Sequence, residues 1–164
     1  MKTDSSIYSD LLNSFNTTQE VNDFLGDLDF VSAELFKSRY KSLSEILASI
    51  SATSAKNIEE IFTKNKSGAG NKETINGFLE QIKNSLKNFK TIKLTLAFEP
   101  SSKTIEKIHN HVLNTLGQGY ILEIEVSENI MGGAIVIFNG KYEDYSIKKS
   151  LEESFRDNRS VILN

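Results

Sequence analysis

The sequence predicts an α+β protein: an N-terminal helical bundle followed by a small C-terminal domain of strand, helix, strand, hairpin and helix in that order. Three observations carry this. From Ile7 to Phe89 apolar residues recur every three or four positions, the period of helices that bury one face. At Thr91 the period falls to two, with Ile92, Leu94, Leu96 and Phe98 alternating against Thr91, Lys93, Thr95 and Ala97. Phe138-Asn139-Gly140-Lys141 then offers the two positive-φ residues of a type I′ hairpin. The change of period places a domain boundary at the start of the first strand, giving a helical domain 1–90 and an α+β domain 91–164.

In the helical half the apolar sets are Leu11, Leu12 and Phe15, then Val21, Phe24, Leu25 and Leu28, then Leu35, Phe36, Tyr40, Leu43, Ile46, Leu47 and Ile50. Ile75, Phe78, Leu79, Ile82, Leu86 and Phe89 form the cleanest stripe. Thr17-Thr-Gln-Glu20 and Ser42-Leu-Ser-Glu45 read as capping boxes, in which a hydroxyl accepts from a free amide and the glutamate bonds back. Lys64-Asn-Lys-Ser-Gly-Ala-Gly-Asn-Lys72 has no apolar side chain larger than alanine and two glycines, so it is expected to be a mobile loop.

In the second half Pro100 cannot donate to a strand ladder and ends the first strand, and Ser101-Ser102 caps the next helix. Ile105, Ile108, Val112 and Leu116 make that helix's buried stripe, and Gly117 and Gly119 close it. Tyr120, Leu122, Ile124 and Val126 alternate with Ile121, Glu123 and Glu125, a strand with a wet carboxylate face and a core face. Ala134 to Phe138 is continuously apolar and reads as a buried central strand. Tyr142 to Tyr145 returns as an edge strand, and Ser146 caps a last helix with Ile147, Leu151 and Phe155 on one face. One face of the sheet is expected to be covered by helices.

Composition narrows the function classes. Net charge is -3, from 19 basic and 22 acidic residues spread along the chain, so nothing draws the protein as a whole to phosphate backbones or anionic lipid. Cysteine is absent, which removes disulfides and thiolate chemistry. No run approaches the ~18 apolar residues of a membrane span, and Met1-Lys-Thr-Asp-Ser-Ser lacks an apolar signal core. These features point to a cytosolic, bacterial protein.

The run Val126-Ser-Glu-Asn-Ile-Met-Gly-Gly-Ala-Ile-Val-Ile-Phe-Asn-Gly-Lys-Tyr-Glu-Asp-Tyr-Ser146 joins a glycine pair, an apolar strand and a turn. It resembles the signature of the ATP synthase delta subunit, or oligomycin-sensitivity-conferring protein, family. Ile130, Gly132, Gly133, Val136, Lys141, Asp144, Ser146, Ile147 and Leu151 fall in that signature's register without a gap. Ser127, Ile137, Asn139 and Tyr145 depart from it, as in a remote member. The resemblance covers about residues 91 to 156. It implies a noncatalytic peripheral-stalk subunit of an F-type ATP synthase. Such a subunit ties the catalytic head to the b-subunit stalk and resists rotor torque during proton-driven synthesis. Its helical domain is expected to pack against amphipathic N-terminal helices of alpha subunits and its C-terminal domain to grip the end of the b subunit. The location implied is peripheral, on the cytoplasmic face of the bacterial cell membrane, with membrane contact only through the complex. No cofactor, metal, nucleic acid or small-molecule ligand is implied.

Residue patterns that could carry other chemistry have simpler readings. Gly132-Gly133 at the mouth of an apolar strand reads as a bulge or close backbone contact rather than a ligand site. Gly68-Ala-Gly-Asn-Lys-Glu-Thr74 lacks the Gly before Lys, the Ser or Thr after it and the upstream strand of a phosphate loop. His109 and His111 are two apart on a helix, turned about 200° from each other, and read as surface residues that cannot grip one metal. Glu123 and Glu125 share a solvated strand face with no other reactive group near them in sequence, and Glu152 and Arg156 are spaced for an i,i+4 pair on a wet helix face. No nucleophile-and-base signature occurs. A small cytosolic nucleic-acid-binding or protein-interaction module is the alternative, its nucleic-acid form opposed by the acidic balance and by the absence of a Gly-X-X-Gly loop or of aromatics clustered with bases. An enzyme would need a deep pocket with converging polar groups.

Overall fold

The computed structural model describes residues 11, 13–37, 42–64 and 72–162. The chain divides into two compact units. One comprises the residues before Lys90 apart from Asn16–Thr18, and the other comprises Asn16–Thr18 together with Lys90 onward.

The first unit is helical. Helix α1 spans Thr18–Lys37, α2 Leu43–Leu47, α3 Ala52–Lys64 and α4 Lys72–Leu86. The two apolar sets read around Leu28 and Leu35 belong to a single helix, because Val31 carries the stripe Val21, Phe24, Leu28, Val31, Leu35 across all of α1. Phe36, about 100° round that helix from Leu35, is exposed rather than in the core. Ser42 caps α2 with the expected box, its hydroxyl accepting from the Glu45 amide at 3.3 Å and the Glu45 carboxylate accepting from the Ser42 amide at 2.7 Å. Helix α4 buries Ile75, Leu79, Ile82 and Leu86, while Phe78 lies half-buried with its ring 5.2 Å from that of Phe62. Each such buried side chain stabilises the unit by roughly 1.5–3 kcal/mol. Polar ties fix α1 against α4: Lys83 Nζ lies 2.7 Å from Asp29 and 2.8 Å from Glu80, and Ser32 Oγ donates to Asn76 Oδ1. Burial disfavours the Lys83 charge, and the bonds to Asp29 and Glu80 outweigh it, leaving its pKa above the ordinary value. Residues 65–71, on which the expectation of a mobile loop falls, lie outside the described residues, as do Leu12 and Tyr40.

The second unit is strand, helix, strand, hairpin and helix: β1 Lys90–Leu96, α5 Ser102–Leu116, β2 Tyr120–Val126, β3 Ala134–Phe138, β4 Lys141–Asp144 and α6 Ile147–Ile162. The strands form one four-stranded sheet in the order β2-β1-β3-β4, with β1 parallel to β2 and antiparallel to β3. On one face Ile92, Leu94 and Leu122 make the core, and Ile105, Ile108 and Val112 of α5 pack on it. The register puts Lys93, Thr95, Glu123, Glu125, Ile135 and Ile137 on the other face. Ile137 is exposed there, so β3 is an inner strand covered on one side, not the doubly buried strand its unbroken apolar run suggests. Asn139 and Gly140 turn the hairpin with φ of 49° and 74°, the left-handed pair of a type I′ turn. Asn16 accepts from the Leu122 amide at 2.9 Å and Thr17 bridges Leu122 in parallel, so this short segment lines part of the outer edge of β2.

Candidate interaction surface

The glycine pair sits where the sheet hands over to the last helix. Ile130 is buried in the loop after β2 and donates its amide to the Ser127 carbonyl at 3.2 Å. Gly133 has φ of +87°, and a Cβ added there would press into the Tyr145 carbonyl and come within 3.0 Å of Ser146 Cα. Gly132 has only the Ile147 side chain before it, with Cδ1 at 2.5 Å from such a Cβ. Two backbone bonds close the junction, Tyr145 amide to Ala134 carbonyl at 2.8 Å and Ile147 amide to Gly132 carbonyl at 2.9 Å.

Asp144 and Ser146 complete the joint. The Asp144 carboxylate accepts from the Ser146 amide at 2.8 Å, and the buried Ser146 hydroxyl accepts from the Lys149 amide at 3.3 Å, capping α6. The side-chain and backbone bonds from Ser146 hold the Asp144 carboxyl below its ordinary pKa. Beside it, the Tyr145 hydroxyl donates to Glu143, which raises the phenol's pKa. Of the signature positions, the structure brings Gly132, Gly133, Asp144 and Ser146 together. Val136 pairs with Leu94 in the sheet and packs on its core, Lys141 lies at the far, hairpin end of β4, and Leu151 stands out on α6.

Four expectations fail here. His109 is not a surface residue. It is 2% exposed, and its Nε2 lies 2.9 Å from the Tyr120 carbonyl, an acceptor on the edge of β2 that the helix stripe could not reveal. Leu116, read as part of that stripe, is exposed instead. The last helix keeps its apolar stripe bare, with Ile147 51%, Leu151 44% and Phe155 69% exposed, so α5 alone is seen packing on the sheet core. On its wet side Lys149 and Glu153 form the i,i+4 pair, at 3.9 Å, in place of Glu152 and Arg156.

The polar sheet face is self-paired. Lys93 lies 3.6 Å from Glu123 and 3.4 Å from Glu125, and Glu123 foremost, then Glu125, holds its ammonium above the usual pKa. Among the described residues no group of three His, Asp or Glu could hold a metal ion, and no helix is long and apolar enough to cross a membrane. The chemistry on offer is association: exposed Phe30 and Phe36 on α1, and Met131, Tyr145 and the α6 stripe around the glycine junction.

Known proteins match this chain as follows. The family model described as ATP synthase delta (OSCP) subunit matches residues 5–156, which extends the likeness from the C-terminal run into the helical half. A protein named ATP synthase subunit delta, from Rickettsia canadensis (strain McKiel), is 30% identical over 78 residues, 48% of this chain. The chain spans 42% of that relative's length.

Proposed function

We propose that this chain, which belongs to the ATP synthase delta (OSCP) subunit family, is the noncatalytic tether of an F-type ATP synthase, joining the catalytic head to the peripheral b-subunit stalk. Its work in this reading is mechanical. The helical domain, residues 1–90, packs against amphipathic N-terminal helices of alpha subunits, and the α+β domain, residues 91–164, grips the end of the b subunit. Together they resist rotor torque during proton-driven synthesis. The protein sits peripherally on the cytoplasmic face of the cell membrane and touches the membrane only through the complex. Ile130, Gly132, Gly133, Val136, Lys141, Asp144, Ser146 and Leu151 serve it as scaffold rather than as ligands.

The observation that carries this reading is the family match running through both units of the chain. Amphipathic helices with bare apolar positions are the element such a tether needs, because they offer grooves and stripes to other helices. The test is reconstitution. Membranes stripped of their delta subunit should regain proton-driven ATP synthesis when the purified chain is added back, with ATP hydrolysis by the detached head unchanged. Synthesis that stays uncoupled in its presence would refute the assignment.

A further inference from the structure

We propose that Asn139 is a site of spontaneous covalent modification. The β3–β4 turn holds Asn139 and Gly140 ready to close into a succinimide, which water opens to aspartate and isoaspartate.

The chain contains two Asn-Gly pairs, Asn76-Gly77 and Asn139-Gly140, with identical local chemistry. In both, the glycine lacks the side chain that would shield its nitrogen from the asparagine amide. Their surroundings differ. Asn76 lies inside α4, where the helix ladder engages the Gly77 amide and holds it away from the Asn76 Cγ. The Asn76 Oδ1 also accepts from the Ser32 hydroxyl, which fixes the side chain. Ring closure there would have to break the helix in the stretch that buries Ile75 and Leu79.

The turn imposes none of these constraints. The β3–β4 ladder ends at Phe138 and Lys141, so Asn139 and Gly140 pair with nothing in it, and both are exposed. Apart from its chain neighbours, nothing lies within 4 Å of a Cβ placed on Gly140, so the peptide joining the two residues has room to turn. Asn139 rests at φ of 49° and Gly140 at 74°. Rotating their shared peptide plane leaves Asn139 at positive φ and converts the type I′ turn to type II′, the other two-residue turn that suits a hairpin. The rotated plane brings the Gly140 nitrogen to the same side of the Asn139 Cα–C bond as Cγ, as a five-membered ring demands. One peptide flip therefore separates the resting turn from the reactive one, with the strand register unchanged. Asn139 is also among the residues at which the chain departs from the delta-subunit signature, so the site is this chain's own.

The reaction needs only water. Hydroxide removes the Gly140 amide proton, and the nitrogen attacks Asn139 Cγ. The N–Cγ bond forms, the Cγ–Nδ2 bond breaks, and ammonia leaves with a proton from water, which regenerates hydroxide. Water then opens the ring. Cleavage of the new N–Cγ bond gives aspartate, which still tolerates positive φ and keeps the turn. Cleavage of the original C–N bond gives isoaspartate, whose main chain runs through Cβ and Cγ. The added backbone carbon spoils the two-residue turn that sets the Phe138–Lys141 pair, so this product marks aged copies of the protein with a loosened hairpin.

The test is incubation of the purified full-length chain at mildly alkaline pH, followed by peptide mass spectrometry that separates aspartyl from isoaspartyl products. In the folded protein Asn139 should deamidate at least about tenfold faster than Asn76, because the helix must open locally before its pair can react. In urea the two rates should converge, since only the fold distinguishes the pairs. Asn139→Gly keeps a residue that accepts positive φ, so the hairpin should persist while the first acidic species on ion exchange disappears. In the isoaspartyl form, hydrogen exchange at the Phe138 and Lys141 amides should be faster than in the native protein.

An Asn76 that reacts as fast as Asn139 in the folded chain would overturn the proposal. So would a rate ratio that survives in urea, which would place the difference in the flanking sequence rather than the turn, or an early acidic species that persists in Asn139→Gly. Unchanged exchange at the two amides would overturn the loosened hairpin.

Discussion

Gly133→Ala, compared with Gly132→Ala, isolates what the glycine pair does for the second unit. At Gly133 the φ of +87° lies in the region where a side chain costs about 1–2 kcal/mol. The new Cβ would also crowd the Tyr145 carbonyl and approach Ser146 Cα at 3.0 Å, backbone atoms that the bonds to Ala134 and Gly132 hold in place. Overpacking of that kind adds about 1–3 kcal/mol, for a total of about 2–5 kcal/mol, with Gly133→Val at the upper end. At Gly132 the only obstacle is the Ile147 side-chain tip, which is half out in solvent and can rotate away, so Gly132→Ala should cost less than about 1 kcal/mol. In a domain of this size a loss of about 3 kcal/mol lowers the melting temperature by about 10 °C or more. Urea unfolding gives the magnitudes, and hydrogen exchange at the β3 and α6 amides localises them. Two alanine variants of equal stability, or a Gly132 variant that is the worse of the two, would refute this account of the junction.

His109→Phe should cost about 1–3 kcal/mol in urea unfolding, because it leaves the Tyr120 carbonyl without its donor, while His111→Phe on the exposed side of the same helix should be nearly neutral. Lys83→Met should lower the stability of the helical unit by about 1 kcal/mol through loss of its two carboxylate partners. The effect of Lys93→Ala, by contrast, should be visible at low salt and vanish at high salt, because that cluster is open to water. The Asp144 carboxyl is depressed in the folded state, so its contribution is present above its unfolded value of 3.8 and is lost as pH falls through the lower folded value. Acid titration of native and Asp144→Asn proteins should show that step in the native protein alone.

What the sequence made legible was local. The alternation of Ile92, Leu94 and Leu96, the Asn139-Gly140 turn, the Ser42 box and the Ser101 cap each depend on neighbours within a few residues, and each forms. The misreadings arise where distant partners decide. His109 looks like a wet residue beside a stripe until β2 brings the Tyr120 carbonyl to it. The apolar run of β3 fixes a strand but not how many of its faces are covered, and Ile137 is left bare. The period of Ile147, Leu151 and Phe155 defines a face of α6 without saying what meets it. In α1 the error was one of grouping, since reading past Gly26 and Asp27 to Val31 joins two sets into one helix. At the junction, the sequence shows a glycine pair, an acid and a serine in a row. That Gly133 faces backbone and Gly132 a movable side chain emerges only when β3 and the start of α6 are brought together.

The most direct test of the tether is capture of the tagged chain from its native membranes, washed at low and then high salt, with the retained proteins identified by mass spectrometry. The account predicts ATP synthase alpha and b subunits that survive the low-salt wash. Recovery of RNA-associated proteins, or of neither alpha nor b, would contradict it.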